Sequence, residues 1–237
     1  MDEAERGPAH PRPQRRGRRR GRRLRSGRQN LLETLLPGLT IGPLPPAGQL
    51  APHRLFDVGC DDVWLEIGFG AGEHLAAQAR ANPRVGFLGA EPYINGIASL
   101  VNAIAVDGLG NIRLWPEEGE PLLEALSAGS IGRAFVLFSD PWPKARHHKR
   151  RFIGKRAVDG FARILKDSAE LRVATDDVSH VSWILSHVLA HSAFEWTAQT
   201  PADWRIRPPD WPQTRYEAKA RAAGRPAFFL RFRRRFR

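Results

Sequence analysis

A chain of 237 residues with 37 lysines and arginines against 25 aspartates and glutamates, a net charge of +12, can bury one substantial core and is biased toward a polyanionic partner. The single cysteine, Cys60, excludes an internal disulfide and any multi-thiolate metal site, as suits a reducing cytoplasm. No apolar run reaches the ~18 residues of a membrane span, and the Arg-rich start lacks the apolar stretch of a secretory signal, so a cytoplasmic protein with no membrane partner is expected.

In chain order, residues 1–30, with the run RPQRRGRRRGRRLRSGR, hold almost no apolar side chains and cannot bury enough surface to offset the entropy of ordering. They predict a disordered arm, suited to solubility or to a non-specific grip on phosphates. Residues 31–55, LLETLLPGLTIGPLPPAG onward, predict a short amphipathic helix stopped by Pro37 and then a Pro/Gly-rich connector. The folded domain is expected over 56–237. There VWLEIGF, VGFLGAEP and NIRLW read as strands separated by helices over GEHLAAQARAN and INGIASLVNAIAVDGL. IGRAFVLFSD, AELRVATD, AFEWTAQ and PAFFLRFRR read as further strands, with helices over KRRFIGKRAVDGFARILK and VSHVSWILSHVLAH. The alternation predicts an α/β domain whose mostly parallel sheet is covered by helices on both faces.

LEIGFGAGEHL sets Gly68, Gly70 and Gly72 between a strand and a helix, where glycine allows a sharp turn and close approach to a ligand at the positive end of the helix. The spacing is G-x-G-x-G, unlike the dinucleotide fingerprint, and it follows an acid, Glu66, that suits an ammonium group rather than a pyrophosphate. Glu91 ends the second strand, where a carboxylate accepts the hydroxyls of a ribose. A third acid, Glu118 or its neighbour Glu117, follows the third strand and is placed to meet an adenine amino group. Acids at successive strand ends suit S-adenosylmethionine.

Asp140 stands at the carboxyl end of the fourth strand, in the crevice where open α/β sheets bind ligands. Pro141 and Pro143 flank Trp142 and stiffen the turn. A carboxylate and an aromatic face held together can read a purine, although an N-cap aspartate and a packed tryptophan fit the same residues. The following KARHHKRR is too dense in charge for a lone phosphate and fits a nucleic-acid backbone. His147 and His148 lack acid or thiol partners at ligand spacing, so no metal is expected.

LEIGFGAGEHL, DPWPKARHHKRR, ATDD and TRYEAK, in that order, resemble the bacterial tRNA (guanine-N7)-methyltransferases from about Asn30 to the C-terminus. The resemblance implies a Rossmann-like class I methyltransferase fold, a seven-stranded sheet with its last strand antiparallel, that methylates a guanine in the variable loop of tRNA. By motif position it implies Glu66, Glu91 and Glu118, with the glycine loop, for S-adenosylmethionine, and Asp140 as the active-site aspartate beside that cofactor. It implies Lys144, Asp176, Thr214, Arg215, Tyr216 and Glu217 for substrate, and Arg146, His147, His148, Lys149, Arg150 and Arg151 for RNA. Arg215 and Lys219 read equally as solvated charges. The chain departs from the family pattern at Ser139, where proline is usual, and at His180, where tyrosine is frequent. A methyltransferase for another RNA or a protein, and a non-catalytic RNA-binding or assembly factor, are the competing readings; monomer and homodimer are both compatible with the sequence.

Overall fold

The computed structural model describes residues 19–57 and 59–237. After a short extended stretch come helices α1 (Ser26–Thr34) and α2 (Leu36–Leu39), with Pro37 in the first turn of α2, where its missing N–H costs nothing. The chain then alternates through β1 (Asp62–Ile67), α3 (Glu73–Ala81), β2 (Val85–Ala90), α4 (Ile94–Asp107), β3 (Ile112–Trp115), α5 (Gly119–Ala125) and β4 (Ile131–Leu137). It continues through α6 (Lys155–Ile164), β5 (Leu165–Thr175), α7 (Val178–Leu189), β6 (Phe194–Trp196), α8 (Ala202–Arg205), α9 (Arg215–Ala222) and β7 (Phe228–Arg234).

The strands form one seven-stranded sheet in the order β3-β2-β1-β4-β5-β7-β6. β1 to β5 are parallel, and β7 runs antiparallel between β5 and β6. The strand period of two divides the core. Val63, Leu65 and Ile67 of β1, with Ala134 and Val136 of β4, face α5, α6 and α7; Trp64 and Phe135 point to the opposite face, where α1, α3, α4 and Trp211 pack. From β1 the chain moves outward to β2 and β3, then returns to the other side of β1 to begin β4. That reversal opens a crevice at the carboxyl ends of β1 and β4, and it positions everything below.

Helix ends follow their sequences. Gly108, at φ 63°, turns α4 off with its N–H on the Ile104 carbonyl, and the Asp177 carboxylate caps α7 by accepting from the His180 N–H at 2.8 Å. Gly72, at φ 78°, enters α3 so close to α4 that a Cβ there would lie 2.6 Å from Leu100 Cβ.

The structure differs from expectation at both ends of the helical reading. Residues 1–18 of the expected arm lie outside the described residues, but 19–30 are already structured. The Arg19 carbonyl accepts from Ile94 N–H, Gly21 N–H donates to Asn95 Oδ1, and α1 begins at Ser26. The short helix and connector expected over 31–55 belong to the folded unit. Leu32 and Ile41 are buried, Ile41 N–H donates to the Leu114 carbonyl beside β3, and Leu50 pairs with Leu126. Periodic leucines on this stretch meet α4 and β3, a partner that lies far away in sequence. The helix expected over KRRFIGKRAVDGFARILK is confined to α6, because Gly154 caps it from an extended conformation, and β5 starts immediately after it at Leu165.

Candidate active site

A cavity of about 550 Å³ opens at the carboxyl ends of β1, β2 and β4, and Gly70, Glu91, Glu118, Asp140, Trp142 and Tyr216 all line it. Its volume is in the range of small-molecule sites. Gly70 belongs to the β1–α3 loop and Asp140 to the loop after β4, so the structure brings together what the sequence placed apart. The glycine loop is pressed onto α4: a Cβ at Gly96 would lie 2.0 Å from the Gly70 carbonyl oxygen.

Glu91, at the end of β2, is buried. Its carboxylate accepts from Gly70 N–H at 2.8 Å and from Tyr93 N–H at 2.9 Å, which locks its orientation and ties the second strand to the loop of the first. Burial pushes its pKa up to about 7; the two backbone N–H groups pull the other way, and the nearby Glu118 and Asp140 add to the rise. Of the two rival acids after β3, Glu118 lines the cavity while Glu117 is ion-paired with Arg19.

A second, smaller chamber of about 20 Å³ is walled by Glu66, His74, Thr214 and Tyr216, and shares Gly68, Leu137, Phe138 and Tyr216 with the large cavity. Glu66 therefore sits in an end compartment rather than on the main cavity. Its Oε2 is 2.7 Å from His74 Nδ1, with both side chains almost wholly buried. A space this size takes one water-sized polar group. Gly72, expected beside the cofactor, lines neither space; its role is the tight α3–α4 approach described above.

The loop after β4 is held in unusual backbone geometry. Phe138 and Trp142 have φ of 51° and 42°, left-handed values that cost about 1–3 kcal/mol each for such residues and persist only when the surroundings enforce them. Arg151 is one such constraint: it donates from Nε to the Pro141 carbonyl at 2.7 Å and from Nη2 to Ser179 Oγ at 3.2 Å, with its guanidinium 5.0 Å from the Trp183 ring centroid. Within this loop Asp140 is exposed at the cavity wall, and partial burial holds its carboxyl above the ordinary range. Arg150 lies over the Trp142 ring at 4.6 Å and His147 meets that ring edge-on at 5.8 Å, so the indole carries a cationic backing.

The basic segment divides in two. Lys144, Arg146, Lys149 and Arg150 are exposed, as an interface to a polyanion requires, and His147 is half-buried. Arg151, expected on RNA, is 3% exposed and points inward as the strut just described. His148 also turns inward: it packs edge-on against Trp183 at 5.4 Å, and its Nε2 is buried without a partner among the described residues. His180, at the position where the family resemblance expects tyrosine, is buried with Nδ1 3.2 Å from Thr175 Oγ1; burial, with the Arg151 charge, pushes it down to about 4.

The expected substrate residues are scattered over several roles. Arg215 and Tyr216 line the large cavity, as does Lys219, which had read equally as a solvated charge. Thr214 caps α9, its Oγ1 accepting from Glu217 N–H at 3.2 Å. Glu217 is 3% exposed, ion-paired with Arg207 at 3.2 Å, and lines neither cavity. Asp176 pairs with Arg225 at 2.9 Å and, with Lys144, stands outside the cavity wall. Wall residues that sequence reasoning did not single out include Tyr93, Phe138 and Phe152 on the large cavity and His74 on the small one. Helix α9, which carries three of the walls, was also missed, although Thr214 followed by Glu217 is a capping-box pattern that signals it.

A family model described as "Putative methyltransferase" matches residues 61–230. The chain is 54% identical over 222 residues to the tRNA (guanine-N(7)-)-methyltransferase of Rhodospirillum rubrum, covering 92% of this chain and 87% of that protein. It is 49% identical over 230 residues to the protein of the same name from Paramagnetospirillum magneticum, covering 97% of this chain and 96% of that one. Among solved structures, a 16S rRNA methyltransferase superposes with a TM-score of 0.53 at 16% identity, covering 75% of this chain and 89% of that one, a likeness of fold alone.

Proposed function

The chain belongs to the tRNA (guanine-N(7)-)-methyltransferase family, and from that premise we propose that it transfers a methyl group from S-adenosylmethionine to N7 of a guanine in the variable loop of tRNA. The observation that carries this reading is the single cavity on which Gly70, Glu91, Glu118 and Asp140 converge. The residues present fit the cofactor. Glu91, already oriented by two backbone N–H groups, offers its remaining lone pairs to the ribose hydroxyls, Glu118 stands where the adenine amine would be met, and Glu66 fits the cationic amino-acid end in a chamber of ammonium size. When bound, S-adenosylmethionine supplies a methyl group activated by its sulfonium.

Guanine N7 carries an in-plane lone pair, so no proton need leave before it attacks. The task of the protein is position. Alignment of nucleophile and methyl can contribute on the order of 7–11 kcal/mol in favourable intramolecular models. Trp142, backed by Arg150, offers the guanine a stacking face, and Asp140 accepts from its N1–H and exocyclic amine while offsetting charge that develops on the purine. The exposed Lys144, Arg146, Lys149 and Arg150 hold the backbone that delivers it. The test is methyl transfer from labelled S-adenosylmethionine to a tRNA transcript, followed by mapping of the modified base. Label at guanine N7 is the expected outcome; cofactor binding with the transcript unlabelled assigns the site to a different methyl acceptor.

A further inference from the structure

We infer that His74 is a positioning residue that sets the Glu66 carboxylate for the amino-acid end of the cofactor, an inference that rests on the cofactor reading above. His74 is the second residue of α3, directly after the glycine loop, and its side chain reaches back under β1. Its Nδ1 is 2.7 Å from Glu66 Oε2, and the two side chains are 1% and 3% exposed. The ring of Phe135 lies 4.7 Å away edge-on and that of Trp211 6.3 Å away, while Nε2 is buried with no hydrogen-bond partner among the described residues. The imidazole thus packs against two aromatic rings, and among the described residues its hydrogen-bond partner is Glu66.

In this arrangement Nδ1–H donates to the Glu66 carboxylate, and Oε2 is committed to that bond. Glu66 then meets the small chamber it lines with its other oxygen. The chamber holds about 20 Å³ and shares Thr214 and Tyr216 as walls, room for one ammonium-sized group and little else. A carboxylate so deeply buried is costly to leave without donors, and an untethered glutamate would be free to turn away from the chamber. His74 meets both needs: it supplies the donor and fixes the rotamer before the ligand arrives.

The consequence is specific to one end of the ligand. Titration calorimetry on the wild-type chain and on His74→Asn, His74→Gln and His74→Leu would use S-adenosylhomocysteine and 5′-methylthioadenosine, which keeps the nucleoside and sulfur but lacks the amino-acid end. Asparagine places an amide N–H near the Nδ1 position, whereas glutamine places it near Nε2. The expected result is a loss of ~10-fold or more for S-adenosylhomocysteine in the glutamine and leucine proteins, the size of a lost hydrogen bond to a charged group. The asparagine protein should stay within about 3-fold of wild type, and 5′-methylthioadenosine within about 2-fold in every variant, because neither loses that bond. Equal losses for the two ligands, or no loss in the glutamine protein, overturn the inference. So does failure of all three variants to fold, which assigns His74 to the core. A wild-type chain that binds 5′-methylthioadenosine but not S-adenosylhomocysteine removes the tail site and leaves the nucleoside site standing; binding of neither removes the cofactor reading itself.

Discussion

Glu91 gives the cavity a pH dependence whose sign follows from its surroundings. Its carboxyl rises from an ordinary 4.5 to about 7, which corresponds to ~3 kcal/mol against the charged form. In the empty protein the folded state therefore holds this proton more tightly than the unfolded chain does. The stabilising contribution is complete below the ordinary value of 4.5 and is lost as the pH rises through about 7. Binding a nucleoside works in the opposite direction, since ribose hydroxyls donate best to the ionised carboxylate. With a midpoint at about 7, roughly one molecule in ten is ionised near pH 6 and about nine in ten near pH 8, so affinity for 5′-methylthioadenosine should strengthen ~10-fold across that interval. That ligand has no ionisable tail, which leaves the titration to the protein. Calorimetry at a series of pH values measures it, and Glu91→Gln should flatten the profile whatever it does to affinity at any one pH. A flat profile in the wild type, or an equal slope in Glu91→Gln, refutes the assignment of the titration to Glu91.

Asp140→Asn should lower turnover by about 100-fold or more with the melting temperature unchanged, read from single-turnover methylation, because it removes the charge that faces the developing cation. Arg146→Ala and Lys149→Ala should each weaken tRNA binding and lower the slope of log affinity against log salt by about 1, with no effect on melting. Arg151→Met should do the reverse: the salt slope stays put while stability falls by about 1.5–3 kcal/mol in denaturant titration, since the Pro141 carbonyl loses a charged donor. Gly96→Ala drives a methyl group into the Gly70 carbonyl, so a loss of about 1–3 kcal/mol together with weakened S-adenosylhomocysteine binding is expected from a thermal-shift and calorimetry pair.

Much of the sheet was legible because each strand is a short apolar run bounded by turn residues, and because acids at strand ends fall on one edge of a parallel sheet whatever the helices do. Glu91 and Asp140 follow that rule, and both line the large cavity. Arg151 was not legible: in sequence it is one more cation in a basic run, and only the fold reveals that Pro141 and Ser179 flank it. The ion pair of Glu217 was hidden for the same reason, its partner Arg207 lying on a separate loop. His74 follows the glycines with no local signal, since the acid it serves is on the neighbouring strand. The leucines of α1 and α2 read as an amphipathic helix outside the folded domain, as nothing local says that α4 and β3 complete their core. Local pattern gives an element its type; docking partners at long sequence separation give its side chains their work.

The twisted turn between β4 and the basic segment is held by Arg151, which is itself tethered to Ser179 of α7, 28 positions further along the chain. Amino acids at these two places should therefore vary interdependently in any selection for active enzyme. A replacement tolerated at Ser179 alone would be rare, and permissive only when position 151 changes with it.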